Sequence, residues 1–145
     1  MWFKSKLSKE DVRDRYEHIQ TILEQNAKAG CLFLSLLSIA EEMTGHSIDM
    51  IDAIRDAQEQ GWLGKDFTCN NQLAMLKRWT KKTWTRMVVP LELFDARAVK
   101  ENEYTVARYV RGETTHFRRR GYDVYANSLA VKTGYCESIY VYAWR

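Results

Sequence analysis

Apolar residues recur at intervals of three and four positions along the first half of the chain, which is the period of an α-helix. Four helices are predicted: Ser8 to about Lys28, Cys31 to Thr44, a third that Ser47 caps and that ends at Gly61, and Asn71 to about Thr80. Ser8 and Asp11 form a capping signature at the start of the first helix. The second helix is apolar on nearly every side, so we expect it to lie at the centre of the core.

The second half of the chain changes to the alternating pattern of β-strands. Strands are predicted over Thr83–Val89, closed by Pro90, over Tyr104–Val110, in a hairpin of Thr114–Arg119 and Tyr122–Ala126 around Gly121, and over Ser138–Trp144. Helices followed by an antiparallel sheet are typical of an α+β fold.

Composition adds limits to this picture. A chain of 145 residues predicts one domain over 1–145, with an N-terminal helical arm over 1–28, a helical part over 29–80 and a sheet part over 83–145. Hydrophobic residues make up 46% and charged residues 28%, which excludes a disordered or low-complexity chain. A net charge of only +3 does not by itself predict a nucleic-acid or membrane partner.

The cellular setting follows from what the sequence does not contain. No signal peptide is visible, and the most apolar segment, Leu32 to Ala40, is too short to cross about 30 Å of hydrocarbon. The three cysteines form no Cys-x-x-Cys pair, so neither a zinc site nor a disulfide framework is expected. We predict a cytoplasmic protein with free thiols, no metal and no cofactor.

One of these thiols stands where a nucleophile would be activated. Cys31 follows Gly30 at the start of the most apolar helix, where the helix dipole and unpaired backbone N–H groups lower the pKa of a cysteine. A buried structural thiol is the alternative for Cys31, and it is the interpretation we favour for Cys69 and Cys136.

A nucleophilic thiol also needs a base, and the base needs a group that orients it. His116 lies in a β-prone segment, whereas His18 falls within the first helix and His46 in a helix junction. A two- or four-residue loop around Gly121 would place Asp123 on the same face as His116, and a three-residue loop would place it on the opposite face. Asn127 is the alternative orienting group.

Together these residues resemble the papain-like cysteine peptidases. The resemblance runs from about residue 25 to 145: Gln25, then Cys31 opening an apolar helix, then a late strand with His116-Phe117 and an acidic residue after it. It is nearest to the branch that removes double-glycine leaders from bacteriocins, and to small bacterial and spirochaete domains that share a Gly-Cys-x-Phe-Leu-Ser-Leu segment. The resemblance implies that Cys31 is the nucleophile, His116 the general base and acid, Asp123 the orienting group and Gln25 an oxyanion donor.

Two other functions remain open from the sequence. An inactive papain-like domain could serve as a protein-binding module. Alternatively, two basic segments, Lys77–Arg86 with its tryptophans and Arg118–Arg120, could bind nucleic acid, because cations neutralise phosphates and aromatic rings stack on bases. The competing interpretation makes the tryptophans core anchors and the basic residues a solvated rim. We expect a peptide or protein substrate rather than nucleic acid or a membrane, and the oligomeric state is left open.

Overall fold

The computed structural model describes residues 3–16, 30–112, 114–119 and 135–145. The helices are α1 (9–16), α2 (Cys31–Thr44), α3 (Met50–Glu59) and α4 (Gln72–Thr80). The strands are β1 (Phe3–Lys6), β2 (His46–Ile48), β3 (Trp84–Pro90), β4 (Glu103–Arg111), β5 (Thr114–Arg119) and β6 (Tyr135–Trp144), with short 3₁₀ turns at Leu91–Leu93 and Ala96–Ala98. The second arm of the predicted hairpin around Gly121, and the end of the predicted first helix, lie outside the described residues.

The helix ends follow local capping chemistry. At the start of α1, the Asp11 N–H donates to the Ser8 hydroxyl at 3.1 Å and the Ser8 N–H donates to the Asp11 carboxylate at 3.2 Å. This reciprocal pair confirms the predicted cap. At its C-terminus, α2 stops at Gly45, whose φ of 72° is left-handed and therefore favours glycine.

The predicted start of the third helix is wrong. Ser47 lies in β2, an extended segment that pairs with β1, and Ile48 is a buried strand residue rather than a helical one. The cap is Asp49, whose side chain accepts a hydrogen bond from the Asp52 N–H at 2.9 Å. The helix itself ends at Glu59, two residues before Gly61.

The four longer strands form one antiparallel sheet in the order β3-β6-β4-β5. Within the described residues the chain therefore has helices first and an antiparallel sheet afterwards, which confirms the α+β prediction. One face of this sheet packs on the helices through Trp84, Val106 and Tyr142. Ala107, Tyr109, Ile139 and Val141 form a smaller buried cluster.

Helix α2 lies at the centre of the main core, as its apolar profile predicts. Its residues from Phe33 through Glu41 are all buried, and the Phe33 ring packs edge-on against the Trp79 ring of α4 at 5.6 Å. A fully buried side chain of this size contributes about 1.5–3 kcal/mol through removal of apolar surface from water. In the part of the chain that the structure describes, every helix is too short or too polar to traverse a bilayer.

Candidate active site

Cys31 is the first residue of α2, and Gly30 makes the entry to the helix. Gly30 adopts φ 109°, a left-handed conformation that side chains rarely tolerate, and a Cβ there would touch the Phe67 ring at 3.6 Å. The turn delivers the thiol to the end of the helix where backbone N–H groups lack intrahelical partners and the dipole is positive. The sequence prediction for the position of Cys31 is therefore confirmed.

Strand β5 brings His116 to this thiol. The side chains of Cys31 and His116 are hydrogen-bonded to each other. The next residue along the strand adds a backbone contact, because the Phe117 N–H donates to the Cys31 sulfur at 3.4 Å. Residues that stand far apart in sequence thus meet at one sulfur atom.

Two opposing effects set the acidity of Cys31. Burial is the largest effect and raises the pKa of the thiol, since it disfavours the charged form. The hydrogen bond to His116, the positive charge of His116 and the N–H groups of Phe117 and Leu32 act in the opposite direction. Together they prevail, so that the pKa of Cys31 lies below its ordinary value of 9.0.

A second contact, largely shielded from solvent, joins β5 to α2. Arg119 donates to the Glu42 carboxylate at 2.7 Å and to the Ser38 hydroxyl at 2.8 Å, and the side chains of Arg119 and Glu42 are only 5% and 9% exposed. The Ser38 hydroxyl donates to the Ser35 carbonyl, and the Ser35 hydroxyl donates to the Cys31 carbonyl at 2.8 Å. A polar path therefore runs along α2 from the ion pair to Cys31.

This clamp of Arg119, Ser38 and Glu42 was missed by sequence reasoning. The available signal is the spacing of Ser35, Ser38 and Glu42, which places a polar stripe on an otherwise apolar helix. The sequence alone predicts Arg119 only as part of a solvated or phosphate-binding triple, Arg118–Arg120. The structure corrects that view, because Arg118 and Arg119 are both buried.

The other two cysteines differ from Cys31. Burial, together with the nearby charge of Cys31, raises the pKa of Cys69 to about 12, so Cys69 stays protonated at neutral pH. The Cys136 thiol contacts the Ser138 carbonyl at 3.7 Å. All three cysteines are free thiols.

Several predicted site residues cannot be placed beside this couple. Gln25, Asp123 and Asn127 lie outside the described residues, as does His18, so the oxyanion side chain and the orienting group stay predictions. His46 belongs to β2, where it pairs with Lys6. Among the residues that the structure does describe, no cluster of three or more His, Cys, Asp or Glu side chains could hold a metal ion.

The tryptophans of the basic segment are core residues. Trp79 and Trp84 are 2% and 4% exposed, which confirms the interpretation of core anchors. Lys81, Lys82 and Arg86 are exposed. The Trp79 and Trp84 rings beside them cannot stack on bases because they are buried. The candidate nucleic-acid surface thereby loses its aromatic component.

Comparison of the chain with family models, curated proteins and solved structures gives no match. The arguments about function therefore start from the geometry of Cys31 and His116.

Proposed function

We propose that the protein is a papain-like thiol hydrolase that cleaves a peptide or other amide bond, with Cys31 as nucleophile and His116 as general base and acid. The hydrogen-bonded couple at the start of α2 is the observation that carries the proposal. A structural thiol in the core gains nothing from a histidine partner and a lowered pKa, whereas a nucleophile requires both.

The proposed reaction begins with proton transfer from the Cys31 thiol to His116, which forms a thiolate–imidazolium pair. The thiolate attacks the amide carbonyl carbon, and the carbonyl π electrons move onto oxygen. As the tetrahedral intermediate collapses, the C–N bond breaks and the imidazolium gives its proton to the leaving amine. Water, activated by the neutral imidazole, then attacks the thioester and releases the acid and the free thiol.

The negative charge on the carbonyl oxygen needs hydrogen-bond donors. The backbone N–H of Cys31 stands in the first turn of α2, where N–H groups are not used by the helix. Gln25 is the second proposed donor and Asp123 the proposed orienting group for His116. Loss of one oxyanion donor costs about 3–4 kcal/mol of transition-state stabilisation in a serine protease, so the contribution is large.

Selective alkylation tests the activated thiol. An ordinary thiol is less than about one per cent ionised at pH 6, so iodoacetamide should label Cys31 much faster than Cys69 or Cys136 in the native protein. Labelled peptides are quantified by mass spectrometry over time. His116→Gln is the matched control and should slow the labelling of Cys31 without changing the other two rates. Equally slow labelling of all three thiols would contradict the proposal.

Hydrolysis itself is tested with a mixture of unstructured peptides, in which new amino termini are counted after incubation with the protein. Cleavage should appear with the native chain and disappear with Cys31→Ser and with His116→Gln. Rapid alkylation of Cys31 without cleavage of any peptide would favour a substrate with an acyl or isopeptide bond. Model compounds that contain these bonds can be added to the same mixture.

A further inference from the structure

The strand β3 forms one margin of the sheet, and among the described residues it pairs only with β6. Its central residues, Met87 and Val88, are 58% and 47% exposed, and Leu91 and Leu93 continue the exposed apolar surface beyond the strand. A long apolar edge with unused backbone groups is a template for pairing with another strand.

The direction of the unused backbone groups is fixed by one hydrogen bond. The Arg145 N–H donates to the Thr83 carbonyl at 3.0 Å, so the backbone groups of Thr83 point towards β6. Because this direction alternates along an antiparallel strand, Thr85, Met87 and Val89 also point inwards. The groups that point away from the sheet therefore belong to four residues: Trp84, Arg86, Val88 and Pro90.

We propose that two copies of this chain associate through β3, antiparallel and about a two-fold axis at Met87, which joins their sheets into one. In this register Arg86 of one copy lies opposite Val88 of the other, and both carry outward backbone groups. The two Arg86–Val88 pairs each form two backbone N–H···O hydrogen bonds. Each Trp84 N–H donates to the Pro90 carbonyl of the other copy. The two Met87 side chains meet at the axis as a non-hydrogen-bonded pair, the closer type of contact.

The distribution of charge favours this register over registers shifted by one or two residues. With the axis at Met87, Lys82, just before β3 in one copy, and Glu92, in the 3₁₀ turn just after β3 in the other copy, come to the same end of the paired strands. Both side chains are exposed, and neither forms an ion pair with a described residue. If the register shifts by one residue, backbone groups that point away from the sheet in one copy face groups that point inwards in the other. If it shifts by two residues, Lys82 of one copy moves away from Glu92 of the other. The chain is thus basic just before β3 and acidic just after it, which is self-complementary under two-fold symmetry.

The interface does not involve the Cys31–His116 couple. Among the described strands, His116 lies on β5, three strands away from β3 and therefore about 14 Å from it at the usual spacing between strands. Association through β3 therefore leaves both Cys31–His116 couples away from the interface, so the inference holds whether or not the protein is a hydrolase.

Sedimentation velocity of the full chain over a range of concentrations tests the association. The native chain should sediment as a dimer at high concentration, and Met87→Lys should dissociate it, since it places two like charges on the axis. Ile51→Lys is the matched control, because Ile51 is 63% exposed on α3 and should leave the dimer unchanged. A native chain that is monomeric up to about 1 mM, well above the dissociation constants typical of specific complexes, or a dimer that Met87→Lys does not weaken, overturns the proposal.

Charge reversal tests the register. Lys82→Glu and Glu92→Lys should each weaken the dimer by about three- to tenfold, as expected for two exposed pairs, and the double variant should restore it. Failure of the double variant to restore association contradicts the register with its axis at Met87.

A disulfide provides an independent distance test. Residues opposite each other in a non-hydrogen-bonded pair have Cα atoms about 4.5 Å apart, within the range that a disulfide spans. Met87→Cys should therefore form a Cys–Cys cross-link under mild oxidation, identified by mass spectrometry. Val88→Cys is the control and should not form one, because Val88 lies opposite Arg86 and the two Val88 positions are too far apart. Efficient cross-linking at 88 but not at 87 overturns the register.

Discussion

At the scale of single residues, the Cys31 thiol owes its acidity to groups from two distant parts of the chain. Its own helix supplies the Leu32 N–H, and β5 supplies His116 and the Phe117 N–H. The helix contribution was predictable from the Gly30-Cys31 sequence, because a glycine before an apolar helix marks a helix start. The contact with the Phe117 backbone was not, since it depends on how β5 docks on α2.

Asp123 is the orienting group that the resemblance implies, and Asn127 is the alternative. An ionised carboxylate that accepts from the His116 ring would fix its tautomer and stabilise the imidazolium, which keeps the Cys31 thiolate populated near neutral pH. Asp123→Asn should therefore slow alkylation of Cys31 at pH 6 with little loss of folding, measured by mass spectrometry and circular dichroism.

Asn127→Ala provides the comparison for that experiment. It should change the alkylation rate less than Asp123→Asn does. The reverse result would assign the orienting role to Asn127, and an absence of effect from both, with loss of reactivity in His116→Gln, would describe a Cys–His dyad.

At the scale of secondary-structure elements, the strongest sequence predictions were the long periodic ones. The bounds of α2 and the existence of β3, β4 and β6 follow from patterns that extend over many residues. Strands β1 and β2 were missed because segments of four and three residues are too short to show an alternation. Their pairing also explains why Asp49, and not Ser47, begins the third helix.

The clamp between Arg119 and α2 makes a prediction at this scale. Arg119→Met keeps most of the side-chain volume but, among the described residues, leaves Glu42 with the Lys9 ammonium at 3.4 Å as its one ion-pair partner. Removal of one partner from a buried ion pair typically costs about 3–5 kcal/mol, and Lys9 at the surface offsets part of this. We expect a loss of about 2–4 kcal/mol in the free energy of unfolding, measured by urea denaturation.

The same variant should also slow Cys31 alkylation under conditions where it remains folded, because β5 carries His116. Lys9→Met is the control: it removes the exposed partner of Glu42 and should change both the stability and the alkylation rate little. Unchanged alkylation in folded Arg119→Met would mean that the contacts at Cys31 hold β5 in place without the clamp.

At the scale of the whole molecule, Glu41 couples the stability of the fold to pH. Its fully buried carboxylate accepts from the Ile48 N–H at 2.7 Å and from Arg15 at 3.2 Å, so it connects α1, α2 and β2. Burial is the larger effect and raises the pKa of Glu41 above its ordinary value of 4.5 despite these partners. The folded state therefore binds the Glu41 proton more tightly than the unfolded chain does.

A raised pKa in the folded state means that the contribution of Glu41 to stability is complete below about pH 4.5 and is lost as the pH rises through the folded value. Glu41→Gln keeps an oxygen acceptor for Ile48 and removes the titration. From pH 4 to pH 7 the native chain should lose stability relative to this variant, as measured by urea midpoints at each pH. A constant difference between the two proteins would show that Glu41 does not titrate differently on folding.

Helix α2 is both the centre of the core and the support of Cys31, since it begins at Cys31 and is buried from Phe33 to Glu41. Helix ends normally fray, but this one is held by the sulfur contacts of β5 and by a chain of side-chain hydrogen bonds. Opening of the site by local unfolding would thus require separation of the two layers of the molecule. We therefore expect the backbone amides of the first turn of α2 to exchange as slowly as those of the core, and the geometry at the Cys31 sulfur to persist until the fold itself is lost.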